Sequence, residues 1–270
     1  MSARLVATRS RQVRQEGSSG ERLPPVYPDL AGKRVLVTGA SRGIGSAIAR
    51  AFAAEGCKLV LQFNRNRDAM MAVADEINDL ASGLRVFPCD FADSESVERF
   101  ADTALRAYGG LDIVINNATA VLAGVPSDPT FEALEDCVVG ALQAPHLLST
   151  RAAEQMHRQR VRGSILNVTA VPAEASSSRL ALHGLTKSAL ERMSRSMAEA
   201  YAEDGIRFNT LSPGLQLGRD SVAVAGLNDD DLTVLAEAAL HLASGHSTSL
   251  SGLSLSVDDV GGDIDELYFG

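Results

Sequence analysis

The stretch Arg34–Ala54 reads RVLVTGASRGIGSAIARAFAA. A short apolar run comes first, three glycines (Gly39, Gly43 and Gly45) follow, and a helical pattern of small and apolar residues continues from there. In a strand, turn and helix of this kind, the first glycine allows the tight turn and the second lets the backbone approach a pyrophosphate. The third lets the helix pack closely on the strand, and its first N–H groups attract phosphate. The alternative is a turn that serves packing alone. The loop residues predicted to bind a dinucleotide are Gly39, Ser41, Arg42, Gly43, Ile44 and Gly45.

Apolar runs and amphipathic stretches alternate along the rest of the chain. Predicted strands lie at Arg34–Thr38, Lys58–Leu61, Leu84–Pro88, Asp112–Ile115, Ser164–Val168, Ile206–Leu211 and Leu253–Val257. Predicted helices include Gly45–Glu55, Asp68–Leu80, Ser94–Ala107 and His183–Glu203. Near-continuous apolar strands are covered on both faces, so this order predicts an α/β fold with a doubly wound, seven-stranded parallel sheet. We expect one domain over residues 30–270. Residues 1–29 lack apolar periodicity and are interpreted as a disordered arm, with a transit peptide as the alternative.

Composition excludes several classes of protein. The 270 residues carry a net charge of −9, which argues against nucleic acid or an anionic membrane as a partner. No apolar stretch reaches the roughly 18 residues of a membrane span. Cys57, Cys89 and Cys137 are odd in number and lie in apolar runs, which is typical of reduced thiols in a cytoplasmic protein. The five histidines show no metal-ligand spacing, so no metal site is predicted.

The end of the second predicted strand bears on which dinucleotide binds. An NAD site needs a carboxylate there for the ribose 2′-hydroxyl, but residues 61–65 read LQFNR and contain no acid. Asn64 and Arg65 follow the strand instead, and Arg42 lies in the glycine-rich loop. The two arginines could hold a 2′-phosphate, so we predict NADP(H) in preference to NAD(H). The alternative is that both arginines are solvated surface charges.

With these features, the chain resembles the short-chain dehydrogenase/reductase family from about Leu30 to Gly262. The motifs that carry the resemblance are Thr38–Gly45, Asp90, Asn116–Thr119, Lys187, Ser212–Gly214 and the ending from Gly252 to Asp258. The resemblance implies a Rossmann-type sheet, a nicotinamide cofactor and a small-molecule carbonyl or alcohol substrate. It also implies a dimer or tetramer built on the helices near residues 131–158 and 183–203.

The resemblance also assigns cofactor contacts outside the glycine-rich loop. Asp90 would lie at the adenine, Lys187 would bond the nicotinamide ribose, and the dipeptide Pro213–Gly214 would face the nicotinamide ring. Asn116 and Ala118 would line the adenosine side, and the further predicted cofactor residues are Asn64, Phe91 and Asn117.

The catalytic set of the family, Asn–Ser–Tyr–Lys, is largely missing. When each position is aligned to its local motif, Tyr falls on His183, Ser on Ala170 and Asn on Ala141, so only Lys187 remains. Smaller departures accompany this loss: Thr119 replaces a glycine, residues 215–218 lack the usual threonine, and the segment from Gly214 to the next helix, near Asp230, is short for a substrate lid. The sequence therefore predicts a retained cofactor site and a degenerate catalytic centre.

His183 is the remaining candidate for proton transfer, together with Lys187. The two residues are four apart on one predicted helix and would share a face. A neutral imidazole can relay a proton through its two nitrogens, although a water would have to bridge to the substrate. The alternative is that His183 fills the space of the missing tyrosine. We expect the hydroxyl of Thr169 to point away from the site, whereas Ser176–Ser178 could supply one from the loop.

Three functions are compatible with this pattern. The first is an atypical NADP(H)-binding oxidoreductase acting on a small carbonyl, imine or hydroxy substrate. The second is a non-catalytic subunit that pairs with an active paralogue of the same family in a hetero-oligomer. The third is a non-redox enzyme, such as a cyclase or isomerase, in a cofactor-shaped pocket.

Overall fold

A seven-stranded parallel sheet forms the centre of the computed structural model, which describes residues 25–118, 131, 135, 138–169, 181–213 and 229–256. Its strands are β1 (Arg34–Val37), β2 (Lys58–Phe63), β3 (Gly83–Pro88), β4 (Ile113–Asn116), β5 (Ser164–Val168), β6 (Arg207–Ser212) and β7 (Ser254–Ser256). The described helices are α1 (Gly43–Ala54), α2 (Arg67–Ile77), α3 (Ser94–Arg106), α4 (Ala144–Gln159), α5 (Ala181–Ala200) and α6 (Asp229–Ala243). A π-helical turn, Val139–Gln143, leads into α4.

The strand order is β3-β2-β1-β4-β5-β6-β7, and every neighbouring pair is parallel. The chain starts in the middle of the sheet, runs to one edge, and then continues from β4 towards the other edge. The direction of winding therefore reverses between β1 and β4, and the loops at their carboxyl ends diverge there to leave a crevice for a ligand. The predicted fold class is confirmed.

The bounds of the elements differ from the prediction by a few residues. Strand β2 extends to Phe63 because its last residues still pair with Phe87 and Pro88 of β3. Helix α1 begins at Gly43, inside the glycine-rich loop, and α5 ends at Ala200, before a turn. Three acidic residues occupy the first turn of α6, where the helix dipole favours them.

The core is divided between the two faces of the sheet. Val35 and Val37 of β1 belong to a cluster that includes residues of α1, α2 and α6. Leu36 faces the opposite way, into a cluster built with α3, α4 and α5. Side chains alternate along a strand, so a strand covered on both faces must be apolar throughout. This double coverage accounts for the continuous apolar runs in the sequence.

Among the described residues, no helix has the length and apolar character needed to pass through a bilayer. Cys57 and Cys89 are buried free thiols, whereas Cys137 lies outside the described residues. Burial raises the pKa of the Cys57 thiol to about 12, so this thiol stays protonated and unreactive near neutral pH.

An ion pair joins β1 to β4 at the amino-terminal ends of the strands, opposite the glycine-rich loop. The guanidinium of Arg34 binds both carboxylate oxygens of Asp112, with Nε at 2.9 Å from Oδ2 and Nη2 at 2.7 Å from Oδ1. The backbone N–H of Arg34 donates to the same carboxylate at 2.8 Å. Burial alone would raise the pKa of Asp112, but the hydrogen bonds and the charge of Arg34 outweigh it and hold that pKa below its usual value.

We expect Asp112→Asn to lower the free energy of unfolding by about 1–3 kcal/mol at pH 7, because the largely buried guanidinium loses its bidentate partner. The folded-state pKa of Asp112 is depressed, so its contribution is present above the unfolded pKa of about 4 and is lost as the pH falls through the folded value. Urea denaturation from pH 7 down to pH 3 should therefore show the gap between wild type and variant narrowing in acid.

The exposed helix pair Glu95–Arg99 provides the control. Glu95→Gln should change the stability by less than about 0.5 kcal/mol. A loss at Asp112 no larger than this, or a gap that stays constant into acid, would contradict the interpretation.

Candidate functional site

The glycine-rich loop between β1 and α1 is shaped by its three glycines. Gly39 and Gly43 adopt left-handed backbone angles, with φ of +66° and +54°, which side-chain-bearing residues rarely adopt. A Cβ on Gly45 would overlap the carbonyl oxygen of Gly39, so only glycine allows α1 to approach the loop this closely. Among the described residues, a Cβ on Gly43 would meet no atom within 4 Å. The space beside Gly43 is therefore open, and the loop fits the close approach of a pyrophosphate.

Hydrogen bonds join the glycine-rich loop to the loop after β4. The hydroxyl of Thr38 accepts the backbone N–H groups of Asn117 and Ala118, both at 2.9 Å. The side-chain amide of Asn117 donates to the carbonyl oxygens of Thr38 at 2.9 Å and Gly39 at 3.3 Å. The two loops at the switch point are thus held as one unit. The amide of Asn117 bonds the loop backbone, and a contact of Asn117 or Ala118 with a cofactor stays a prediction.

A third polar cluster lies where β2 and β3 end. One carboxylate oxygen of Asp90 accepts from the Asn64 amide and from the backbone N–H of Ala92, each at 3.1 Å. The other lies 3.6 Å from a guanidinium nitrogen of Arg65, whose side chain is 87% exposed. Asn64, Arg65 and Asp90, three of the predicted cofactor residues, are therefore neighbours. Arg42 is also exposed, at the position just before α1.

Two predicted cofactor residues have side chains that are buried in the core clusters. The ring of Phe91 is buried and lies 6.2 Å from the ring of Phe100, centre to centre. Ile44 is buried in the cluster on the other face of the sheet. A contact of either residue with a cofactor stays a prediction.

The carboxyl end of β5 is the predicted catalytic side of the crevice. The side chain of Lys187 is buried, 4% exposed, and its Nζ donates to the carbonyl oxygen of Val168 at 3.2 Å. Thr169 is buried as well, and its hydroxyl lies 3.5 Å from the carbonyl oxygen of Leu211 on β6. This hydroxyl is therefore engaged with the neighbouring strand, in line with the expectation that it does not replace the missing serine.

Several predicted catalytic positions can be located only in part. His183 and Lys187 both belong to α5, so their separation of about one helical turn holds, but the His183 side chain lies outside the described residues. Ala141 is buried in the π-helical turn before α4 and offers no polar side chain. Pro213 follows β6 and is partly buried. The predictions that lie outside the described residues are those for Thr119, Ala170, Ser176–Ser178, Gly214 and residues 215–218.

Gln62 is a site residue that the sequence interpretation missed. Its buried side chain bonds both the glycine-rich loop and the residue before Asp90. The sequence signal for Gln62 was an uncharged polar residue directly after the apolar run Leu59–Leu61. Within the described part of the chain, no group of His, Cys, Asp and Glu side chains could hold a metal ion.

We expect Gly43→Ala to weaken the binding of NADPH at least tenfold, measured by calorimetry, because a methyl group would enter the open space beside the loop. Gly32→Ala is the matched control: Gly32 also has a left-handed φ, +74°, and its Cβ would also meet no described atom within 4 Å, but it precedes β1 at the amino-terminal end of the strands. Both variants should lose about 1–2 kcal/mol of stability from backbone strain. Equal cofactor affinity in the two variants would show that the loop does not receive the phosphates.

Curated relatives match most of the chain. The chain is 28% identical over 189 residues to 3beta-hydroxysteroid dehydrogenase 1 of Eggerthella lenta, a match that covers 70% of this chain and 72% of the relative. It is 29% identical over 192 residues to glucose 1-dehydrogenase 2 of Bacillus subtilis, which covers 70% of this chain and 74% of the relative.

Solved structures extend the similarity to the whole fold. A short chain dehydrogenase from Burkholderia cenocepacia, in complex with NADP, superposes with a TM-score of 0.74 at 26% identity, over 85% of this chain and 97% of the other. A short-chain dehydrogenase/reductase of Serratia marcescens superposes with a TM-score of 0.73 at 26% identity and the same coverage. The model of the short chain dehydrogenase family matches residues 33–219, more than half of the chain, and the protein therefore belongs to the short-chain dehydrogenase family.

Proposed function

We propose that the protein is an atypical oxidoreductase that binds NADP(H) and acts on a small carbonyl, imine or hydroxy substrate without the usual serine and tyrosine hydroxyls. The observation that carries this proposal is the glycine-rich loop, whose left-handed glycines and open space beside Gly43 lie at the switch point of the sheet. Family membership supports a nicotinamide cofactor. The similar Burkholderia cenocepacia protein, in complex with NADP, supports the phosphorylated form.

The surroundings of Arg65 favour NADP(H). Its guanidinium is exposed and lies 3.6 Å from Asp90, which is a long ion pair in solvent. Exposed ion pairs of this kind contribute at most about 1 kcal/mol, whereas guanidinium and phosphate form short, charge-assisted hydrogen bonds. A 2′-phosphate would therefore displace Asp90 from Arg65 at little cost. The residues that follow β2 directly, Asn64 and Arg65, include no acid for the 2′-hydroxyl of NAD.

Of the chain's own residues, Lys187 would bind the cofactor and His183 would transfer the proton. The nicotinamide, when bound, supplies or accepts the hydride. Lys187 would hold the nicotinamide ribose, because α5 brings its ammonium group to the end of β5. Holding ring and substrate together contributes about 7–11 kcal/mol in well-oriented reactions, so turnover does not require every group of the usual set. His183, one helical turn before Lys187, would relay the proton, and an imine substrate would need no donor to a carbonyl oxygen.

A second candidate function is the non-catalytic subunit, which would pair with an active paralogue through exposed apolar surface. Phe131 is 88% exposed, and Leu185 on α5 is 65% exposed. Both lie in the two regions that the family resemblance assigns to subunit contacts. A partner, either a second copy or an active paralogue, would cover them and remove apolar area from water. Subunit association thus supports either function, and turnover by the isolated protein distinguishes them.

For the cofactor, we expect wild-type protein to bind NADPH more tightly than NADH, and Arg65→Ala to reduce that preference about tenfold or more with little change for NADH. Calorimetric titration with each cofactor measures both affinities. Arg158→Ala is the control, because Arg158 is also exposed and paired with an acid, Glu154, but lies on α4. Equal affinity of the wild type for both cofactors, or an equal loss for both in Arg65→Ala, would contradict the role of Arg65.

For the reaction, we expect slow NADPH oxidation with ordinary keto substrates, and we expect His183→Ala to abolish it while leaving NADPH affinity nearly unchanged. Ser188→Ala, at an exposed position of the same helix, should change neither quantity. An unchanged rate in His183→Ala would make His183 a packing residue. Fast turnover by the wild type would overturn the alignment of Ala141, Ala170 and His183 with the missing catalytic groups. No turnover with any substrate class would favour the non-catalytic subunit.

A further inference from the structure

Gln62 is a buried amide within a strand that is otherwise apolar at its centre. Strand β2 reads KLVLQF, and Gln62 is its fifth residue, 2% exposed. Taking an amide out of water costs free energy unless its donor and acceptor atoms both find partners. Strand β2 lies between β1 and β3, so its carboxyl end is flanked by the glycine-rich loop on one side and by the loop that carries Asp90 on the other.

Both ends of the Gln62 amide are used. Oε1 accepts the backbone N–H of Gly39 at 2.8 Å, and Nε2 donates to the carbonyl oxygen of Cys89 at 2.7 Å. These distances lie at the short end of the range for N–H···O hydrogen bonds. The backbone carbonyl of Gln62 also accepts the N–H of Ala40 at 2.9 Å. One residue therefore holds two consecutive N–H groups of the glycine-rich loop and ties them to the end of β3.

These bonds lie beyond the regular sheet. The last paired residues of β1 and β2 are Val37 and Leu61, so the ladder between these strands has ended before Gly39. The N–H of Gly39 would be left without this partner if the Gln62 side chain were removed. The Gln62 side chain thus orients a loop and adds no bond to the strand ladder.

The nitrogen end of the Gln62 amide lies next to the polar cluster of Asn64, Arg65 and Asp90, which is called the Asp90 cluster here. Cys89 directly precedes Asp90, whose carboxylate holds Asn64 and lies close to Arg65. The Gln62 side chain thus contacts the backbone on both sides and adds to the backbone bonds that connect Gly39 and Asp90 through β2. In the proposed cofactor site, the pyrophosphate would lie at the glycine-rich loop and the adenosine near Asp90.

We propose that Gln62 is a positioning residue for the dinucleotide, which sets the spacing between the glycine-rich loop and the Asp90 cluster. The proposal rests on the cofactor site of the proposed function. The amide suits this position because it accepts from Gly39 and donates to Cys89 at the same time. An ionised carboxylate can only accept, whereas a protonated carboxyl group can do both.

This difference gives the test, which uses Gln62→Glu and Gln62→Met in the full chain. Gln62→Met keeps the length of the side chain and loses both bonds, so it should weaken NADPH binding by ten- to a hundredfold at every pH. Gln62→Glu should bind like the wild type near pH 5.5, where a buried carboxyl group is protonated, and at least tenfold more weakly near pH 8.5. Calorimetry gives each affinity as a ratio to the wild type at the same pH, which cancels the titration of the 2′-phosphate.

The chain contains a matched control in Gln155. Its amide also bridges two backbone groups, accepting from Leu111 N–H at 3.2 Å and donating to the Leu105 carbonyl at 3.3 Å, but it does so near the amino end of β4. Gln155→Glu should leave NADPH affinity unchanged at both pH values. An equal loss in Gln155→Glu would overturn the proposal, because the effect would then be one of general stability. Affinities within twofold of the wild type for both Gln62 variants at every pH would overturn it as well.

Hydrogen exchange of the cofactor-free protein separates this proposal from the proposed function. The amides of Gly39 and Ala40 should exchange at least tenfold faster in Gln62→Met than in the wild type, with no change in α4. If the wild type binds no dinucleotide, the proposed function fails, and the exchange rates alone decide the role of Gln62. Unchanged exchange at these two amides would overturn it.

Discussion

The hydrogen bonds between Thr38 and the loop after β4 hold the switch point together. Parallel strands diverge into separate loops where the winding of the sheet reverses, and nothing in the strand ladder keeps those loops at a fixed distance. Here one hydroxyl accepts two backbone N–H groups, and one amide, that of Asn117, donates to two carbonyls in return. The left-handed turn at Gly39 lies within the bonded segment, and Gly45 of α1 packs against the Asn117 amide and the Gly39 carbonyl.

A second set of contacts acts at each side of that unit. The side chain of Gln62, on β2, bonds the glycine-rich loop, and the Arg34–Asp112 ion pair joins β1 to β4 at the amino-terminal ends of the strands. The crevice is thus defined largely by backbone groups with polar side chains directed at them. A site built in this way can be retained while the groups that perform chemistry change, since the hydroxyls of the family's catalytic set take no part in holding the loops.

The sequence predicted the sheet and the loop because both have strong local signals. A strand covered on both faces must be apolar at consecutive positions, as in Val35–Val37, and only glycine fits the tight places of the loop. The strand ends were less predictable, because β2 continues to Phe63 only through its pairing with β3. The partners of Gln62 are 23 and 27 residues away on two different loops, so an amide in a strand gave no sign of them. Asn117 was predicted at a cofactor, but its amide is taken up by carbonyls that the sharp turn exposes.

The contact between Asn117 and the first turn of α1 links two positions that are far apart in the chain. The Asn117 amide nitrogen lies where a Cβ on Gly45 would be placed. A larger residue at position 45 would meet both this amide and the backbone carbonyl oxygen of Gly39, so a smaller residue at 117 would not by itself make room for it. Replacement of Gly45 therefore requires the backbone of the glycine-rich loop to move away from α1, and for this reason the turn at the switch point is hard to remodel by single mutations.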